Sequence, residues 1–484
     1  MTGAFDGPSP LLVGRELRAA ESGRTFENID PTTEEVLGLA ADGTLRDADA
    51  AMAAARVAFD DTGWADDLEF RLHCLVQLKA ALEKNVEELR TILVKEAGCP
   101  ISFTRSVQLD GALGEIDLAI DLARSYEWER PLVAVGDRLS TIRREPRGVM
   151  AAITPFNYPA YLDLRKIAPA LAAGCTTILK PSPETPWCAA YIAKMAFEHT
   201  DLPPGVLNVL TSSDTEVAAS LTSDPRVDMV SFVGSTATGR RIMHQAADTL
   251  KKLVLELGGK SASIILDDAD VAKAAAVAAG VGLHAGQGCG RLTRFIVPRS
   301  RYAEAVDAAR DAFARIPVGD PADEATVQGP QVSAHQHRRV LGLIETAKSE
   351  GATVAFGGSG RPPGIERGYF VEPTLFTDVD PDSTIAQTEV FGPVAVMIPF
   401  DTDDEAVAIA NNSSYGLSGA VTSGDPKRAM AVARRVRTGH LIVNGAVPGL
   451  DTPFGGWKQS GIGVDSGLMG FEEHLAVKNI GTPA

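Results

Sequence analysis

Val149-Met150-Ala151-Ala152-Ile153-Thr154-Pro155-Phe156-Asn157-Tyr158-Pro159 decides the fold. Its first part is apolar and unbroken, which reads as a strand buried on both faces. The prolines that follow fix the backbone, so the Asn157 amide is aimed outward from the strand end. The pattern then repeats. Strands are read at Thr176–Lys180, Leu207–Leu210, Met229–Val233 and Leu253–Leu257, and helical spacing lies between them at Leu162–Ala172, Pro186–His199, Thr215–Thr222 and Thr238–Ala247. Apolar strands alternating with helices imply an α/β architecture, a doubly wound parallel sheet whose ligands gather at the strand C-terminal ends.

Outward from this core, a second alternating region runs from Ser263 to Asn444. It has strands near Phe295–Val297, Val394–Pro399 and Leu441–Val443, and helices at Tyr302–Arg315, Gln336–Glu350, Asp404–Asn411 and Pro426–Val436. A second α/β domain is expected there, with Gly357–Gly368 as a surface loop. On the N-terminal side, three- and four-residue apolar spacing over Asp47–Phe59 and Phe70–Val94 reads as packing helices, and the turn-rich leader up to Ala40 as short strands and loops. Arg138–Arg144 and His474–Ile480 alternate apolar and polar residues like half-exposed strands that need partners.

A chain of 484 residues exceeds what one hydrophobic core supports, so two or three domains are expected. The net charge of −17 disfavours nucleic acid and anionic membrane surfaces as partners. No stretch approaches the roughly 18 apolar residues of a membrane span, and Met1–Pro10 lacks the basic and apolar parts of a secretory signal. Cys74, Cys99, Cys175, Cys188 and Cys289 are odd in number and widely spaced, forming neither a disulfide framework nor a metal set. No catalytic metal and a reducing, cytoplasmic setting are expected.

Several short stretches carry residues suited to chemistry. In Gly286-Gln287-Gly288-Cys289-Gly290 a thiol stands between glycines with nothing bulky to shield it, whereas a structural cysteine usually sits in an apolar run. Asn157 can donate to an oxyanion or simply form a turn. Lys180 ends a strand as either a binding cation or a solvated charge. Gly234-Ser235 follows another strand and opens a helix, where free N–H groups favour a phosphate, although the run matches neither common phosphate-loop pattern. Glu256 precedes Gly258-Gly259, a hinge that leaves a carboxylate room to act as a base. Glu389 and Phe391 place a carboxylate and an aromatic ring near a turn.

Taken together and in order, PFNYP, KPSPETP, FVGSTATG, ELGGKS, GQGC, EVFGP and PFGGWKQSG, from Pro155 to Gly461, resemble the aldehyde dehydrogenase superfamily. The resemblance implies a nucleotide-binding domain over 1–125 and 147–256, a catalytic domain over 257–455, and a small bridging element over 126–146 and 470–484 that joins subunits into a homodimer or homotetramer. It implies Cys289 as nucleophile, Glu256 as general base and Asn157 as oxyanion donor beside the backbone N–H of Cys289. Cofactor contacts fall on Thr154, Pro155, Lys180, Ser182, Gly234, Ser235, Leu257, Glu389 and Phe391. Tyr158, Tyr161, Leu162, Arg165, Gly288, Gly290 and Phe454 would line the tunnel for a small-molecule aldehyde. Because Glu256 is present, the acyl group would pass to water, giving an acid.

Two departures bear on specificity. NAD-preferring relatives carry a glutamate three residues after the lysine of the KP motif; here that place is Pro183, so NAD is expected only modestly ahead of NADP. Arg165 falls where semialdehyde-oxidising relatives bind a carboxylate, but their second arginine corresponds to Leu283, which favours a bulky apolar or aromatic aldehyde. The competing readings are a semialdehyde dehydrogenase using Arg165 to bind a substrate carboxylate, a non-enzymatic protein that keeps the fold, and a cysteine hydrolase using His284 as base.

Overall fold

The computed structural model describes residues 5–132, 138–449 and 451–483. Val149–Ile153 is buried along its whole length between two parallel neighbours, Thr176–Lys180 and Met229–Gly234. The full sheet has eight strands in the order Gly461–Ile462, Lys252–Leu257, Met229–Gly234, Val149–Ile153, Thr176–Lys180, Leu207–Val209, Leu11–Val13, Glu16–Arg18. Chain order reverses between Val149–Ile153 and Met229–Gly234. That reversal opens the crevice where open α/β sheets bind ligands, and Pro155–Pro159 lies at it.

A second sheet has seven strands in the order Thr353–Phe356, Thr374–Thr377, Val394–Phe400, Leu292–Pro298, Ser261–Ile265, Ser418–Thr422, His440–Val443, all parallel except the first. A third, antiparallel sheet pairs Leu475–Pro483 with Arg138–Pro146 and the latter with Glu129–Leu132. The two half-exposed segments expected to need partners are therefore partners of each other.

Differences from the expected elements have local causes. The helix expected from Leu162 begins at Pro159, because proline fits the first helical position, where its missing N–H is no loss. The apolar stretch over Phe70–Val94 holds two helices, Leu68–Lys84 and Val86–Ala97, broken at Asn85, whose side chain donates to the Ala81 carbonyl at 2.8 Å. Helix Asp110–Ser125 and the strands Ser261–Ile265, Thr374–Thr377 and Ser418–Thr422 were not expected. Ser418-Gly-Ala-Val-Thr422 has small side chains and no alternation, and becomes a strand by insertion between two neighbours.

One buried carboxyl group holds the segment after Lys180 in place. Glu96 accepts from the backbone N–H groups of Trp187 and Cys188 at 2.9 and 2.8 Å, closing the start of helix Pro186–His199, and from the Asn28 amide at 3.0 Å. Glu96→Ala strands these buried donors and should lower unfolding free energy by roughly 2–4 kcal/mol, whereas Glu96→Gln, which keeps an acceptor, should lose less. Urea denaturation of the three proteins checks this, and equal midpoints would contradict it.

Candidate active site

The parallel strands end in a row of the expected residues. Ile153 is in register with Lys180, Phe232 with Ile153, and Gly234 with Leu257. Four neighbouring strands about 4.8 Å apart place Lys180 and Leu257 roughly 14 Å from each other, a span suited to a dinucleotide. Thr154 is buried and donates to Asp163 at 2.6 Å. Pro155 and Phe156 follow, and Phe156 meets Phe391 edge to face at 5.8 Å. The buried Lys180 ammonium donates to the Pro181 carbonyl at 3.0 Å, and burial pulls its pKa down to about 8 although Glu184, Asp42 and Asp214 act to raise it. Ser182 donates to Glu184. Ser235 caps helix Thr236–Ala246 by accepting from the Thr238 N–H at 3.2 Å. Glu389 accepts from the Gly259 N–H at 3.0 Å, and a Cβ on Gly258 would lie 2.2 Å from its carboxylate, so a side chain there would displace Glu389.

Among the five cysteines, only Cys289 is not fully buried. Its loop is fastened to the first sheet. The Asn157 side chain donates to the Gln287 carbonyl at 3.0 Å, which fixes its amide nitrogen on that side and leaves a second N–H free. The Asn157 carbonyl accepts from Gln108 at 2.8 Å and from His284 Nε2 at 2.8 Å. Gln287 in turn accepts from the Val332 N–H at 2.9 Å and donates to the carbonyls of His284 and Pro330. Among the described residues, the Cys289 N–H donates to no protein acceptor.

Asn157, Glu256 and Cys289 share one cavity of ≈ 390 Å³. Tyr158, Tyr161, Leu162, Arg165, Gly288, Gly290 and Phe454 line it, as the tunnel residues were expected to. Both Glu256 carboxyl oxygens are buried and lack a geometrically sound hydrogen bond, yet the group lies close enough to interact with the Cys289 thiol. Burial first and the Asp465 charge second push the Glu256 pKa up to about 8. Burial first and the Glu256 charge second push the Cys289 thiol well above its usual range. Each group, buried beside the other, is pushed toward its neutral form, and Glu256 can take the thiol proton once it has lost its own.

Residues missed in the sequence complete the site. Lys166 and Asp465, both buried, form an ion pair at 2.6 Å. A lysine in the apolar run Leu162–Ala172 was the available signal. Arg291, two residues after the thiol, also lines the cavity, with His440 and Ile442. His284 is not among the lining residues, its Nε2 is taken by the Asn157 carbonyl, and burial pulls its pKa down to about 4, so it cannot serve Cys289 as the base of a hydrolase. Among the described residues no cluster of His, Cys, Asp or Glu could hold a metal ion.

A thiol and a carboxyl group enclosed together, next to a sheet edge of dinucleotide length, belong to oxidoreductases that hold their substrate on sulfur. The chain belongs to the aldehyde dehydrogenase family, whose model matches residues 17–480. It is 42% identical over 462 residues to 3-succinoylsemialdehyde-pyridine dehydrogenase of a Pseudomonas species, covering 94% of this chain and 95% of that protein. It is similar to an aldehyde dehydrogenase C mutant of Pseudomonas syringae solved with NAD+ and octanal, at 39% identity and a TM-score of 0.93, covering 98% of this chain and 96% of the other. The NAD+ complex of the Bacillus cereus aldehyde dehydrogenase has a TM-score of 0.95 at 36% identity, covering 99% and 98%.

Proposed function

We infer that the protein oxidises an aldehyde to the carboxylic acid with NAD+ through a covalent adduct on Cys289. The carrying observation is the shared cavity in which Cys289 faces Glu256 while the Asn157 amide is fixed by the Gln287 carbonyl. Because burial and the neighbouring carboxyl group disfavour the free thiolate, attack on the aldehyde is coupled to proton loss, and ionised Glu256 is the acceptor at hand. The oxyanion that develops meets the free N–H of Asn157 and the backbone N–H of Cys289, each such donor contributing about 10²–10³ in rate. Bound along the row of strand ends, NAD+ would supply the two-electron acceptor for the hydride of the adduct carbon. Glu256 then gives up the thiol proton to solvent and, ionised again, deprotonates the water that cleaves the thioester. Tyr158, Tyr161, Leu162 and Phe454 suit an aldehyde with an apolar or aromatic body.

The row of strand ends, with Glu389 and Phe391 facing it, fits a dinucleotide, and Lys180 is a buried cation suited to ribose hydroxyls. The carboxylate absent at Pro183 has a neighbour that takes its place. Glu184, held by Ser182, acts electrostatically on Lys180 together with Asp42 and Asp214, and this negative surround disfavours the 2′-phosphate of NADP. We place the domain boundaries near 125, 147 and 256. The bridging sheet would assemble subunits through the outer edge of Leu475–Pro483, where Val477 is 60% exposed. The free thiols suit a reducing cytoplasm.

Four measurements test these readings. Glu256→Gln should release no more than one NADH per subunit, more slowly than the wild type because the thiol has lost its proton acceptor, and then stall. In the wild type, hydrolysis should rise with pH through about 8 and level off above it, since the base works only after losing its proton. Unaltered turnover in the variant would refute the assignment. Glu184→Ala should raise NADP+ affinity relative to NAD+ by tenfold or more in a direct binding titration, and an unaltered ratio removes that role from Glu184. Sedimentation should show a dimer or tetramer, and a monomer would exclude the assembly.

A further inference from the structure

Arg291 has no place in the chemistry above, yet it lines the cavity that holds the thiol. Its side chain passes over Gly288, where an added Cβ would lie 3.1 Å from Nε, and its guanidinium stands 6.0 Å from the centre of the Phe103 ring. A guanidinium carries five N–H donors. Arg291 makes one long contact, to the Tyr158 hydroxyl at 3.5 Å, its Nε is buried without a partner, and it forms no ion pair with a carboxylate among the described residues.

Arg165 stands in the same cavity and is 92% buried, its exposure being 8%. Its guanidinium lies 5.4 Å from the Tyr161 ring centre and 5.3 Å from that of Phe454, and donates to the Tyr161 hydroxyl at 3.3 Å. Its Nε also has no partner. Asp465, Glu115 and Glu256 act on Arg165 through their charge, but among the described residues none forms an ion pair with it, and Asp465 is bonded to Lys166. Arg165 is thus offset by carboxylates, whereas Arg291 stands on the wall of the same small cavity, partly stripped of water and with none, an arrangement that a bound anion relieves. A substrate that is apolar throughout leaves those donors unmatched.

We propose that the aldehyde this site prefers carries a carboxylate at the end remote from the aldehyde carbon, and that Arg291, supported by Arg165, binds it. This rests on the aldehyde-oxidising reading and narrows it. The aromatic rings that hold the two guanidinium groups also bound the space for the substrate body, so the apolar walls and the anionic group act on different parts of one molecule. Arg291 is a specificity-determining residue here, since a carboxylate so far from the aldehyde carbon takes no part in the bond changes.

Matched aldehydes test it: succinic semialdehyde against butanal, and 4-carboxybenzaldehyde against 4-methylbenzaldehyde, each with NAD+. The wild type should favour the carboxylated member of at least one pair by tenfold or more in kcat/KM. Arg291→Met should collapse that ratio to about one or below, chiefly through KM, and Arg291→Lys should restore part of it. A second readout needs no cofactor: glutarate should slow alkylation of Cys289 by iodoacetamide in the wild type, and this protection should weaken at least fivefold in Arg291→Met. Preference for the neutral member in both pairs, or equal losses on both members in Arg291→Met, overturns the role of Arg291 while leaving aldehyde oxidation intact. Failure to reduce NAD+ with any of the four overturns the underlying reading instead.

Discussion

The hydrogen bond from the Asn157 amide to the Gln287 carbonyl, 3.0 Å long, is the constraint on which the site depends. One partner sits at the end of the central strand of the first sheet, and the other precedes the thiol in a loop attached to the second. Joined this way, a rotation of one sheet against the other moves donor and nucleophile together. The bond also decides which end of the Asn157 amide faces the sulfur, because a carbonyl accepts only from the nitrogen side. The same residue is gripped again through its main-chain oxygen by Gln108 and His284. Three bonds converge on one asparagine, which is how a loop residue is held closely enough to stabilise charge at a defined point.

The electrostatics behind Glu256 follow from what is buried with it. Asp465 raises its proton affinity while Arg165 and Lys166 lower it. Lys166 and Asp465 are bonded to each other, so at the distance of Glu256 their opposite charges partly cancel. Desolvation remains the leading cause, and it moves the carboxyl group into the range where it can both receive and release a proton near neutral pH. The buried ion pair contributes little through net charge. Its value lies in joining helix Pro159–Ala173 to the segment after Ser460, which forms one wall of the cavity.

How much of this could be read in the sequence depended on whether the signal was local. The five parallel strands of the first sheet carry their own apolar runs, and their ends bear the motif residues, so sheet and strand-end row were both legible. Ser418–Thr422 and Gly461–Ile462 were not, because small residues become strands only when neighbours on either side impose it. Cys289, Glu256 and Asn157 announced themselves through glycines and prolines. Lys166, Asp465 and Arg291 did not, since a charge within an apolar stretch looks the same in sequence whether it ends in solvent, in an ion pair or in a cavity.

The approach to the nucleophile carries conformational strain that the surroundings must hold. His284 and Ala285 have φ of 53° and 52°, and Gly286 continues the left-handed run at 73°. For the two residues with a Cβ this costs roughly 1–2 kcal/mol each. The run is held by bonds at each step: the His284 ring donates to Asn157, the Ala285 carbonyl accepts from Gln331 at 2.8 Å, and Gln287 is fixed at both ends of its amide. What the strain achieves is a close approach. A Cβ on Gly286 would sit 2.0 Å from the Gly392 carbonyl oxygen, so the bare glycine lets the thiol loop press directly against the chain that carries Glu389 and Phe391. Phe391 is itself left-handed, at 56°, and meets Phe156 across the cleft. The same strained turn therefore positions both the sulfur and the facing wall of the dinucleotide cleft, and relaxing it would displace one from the other.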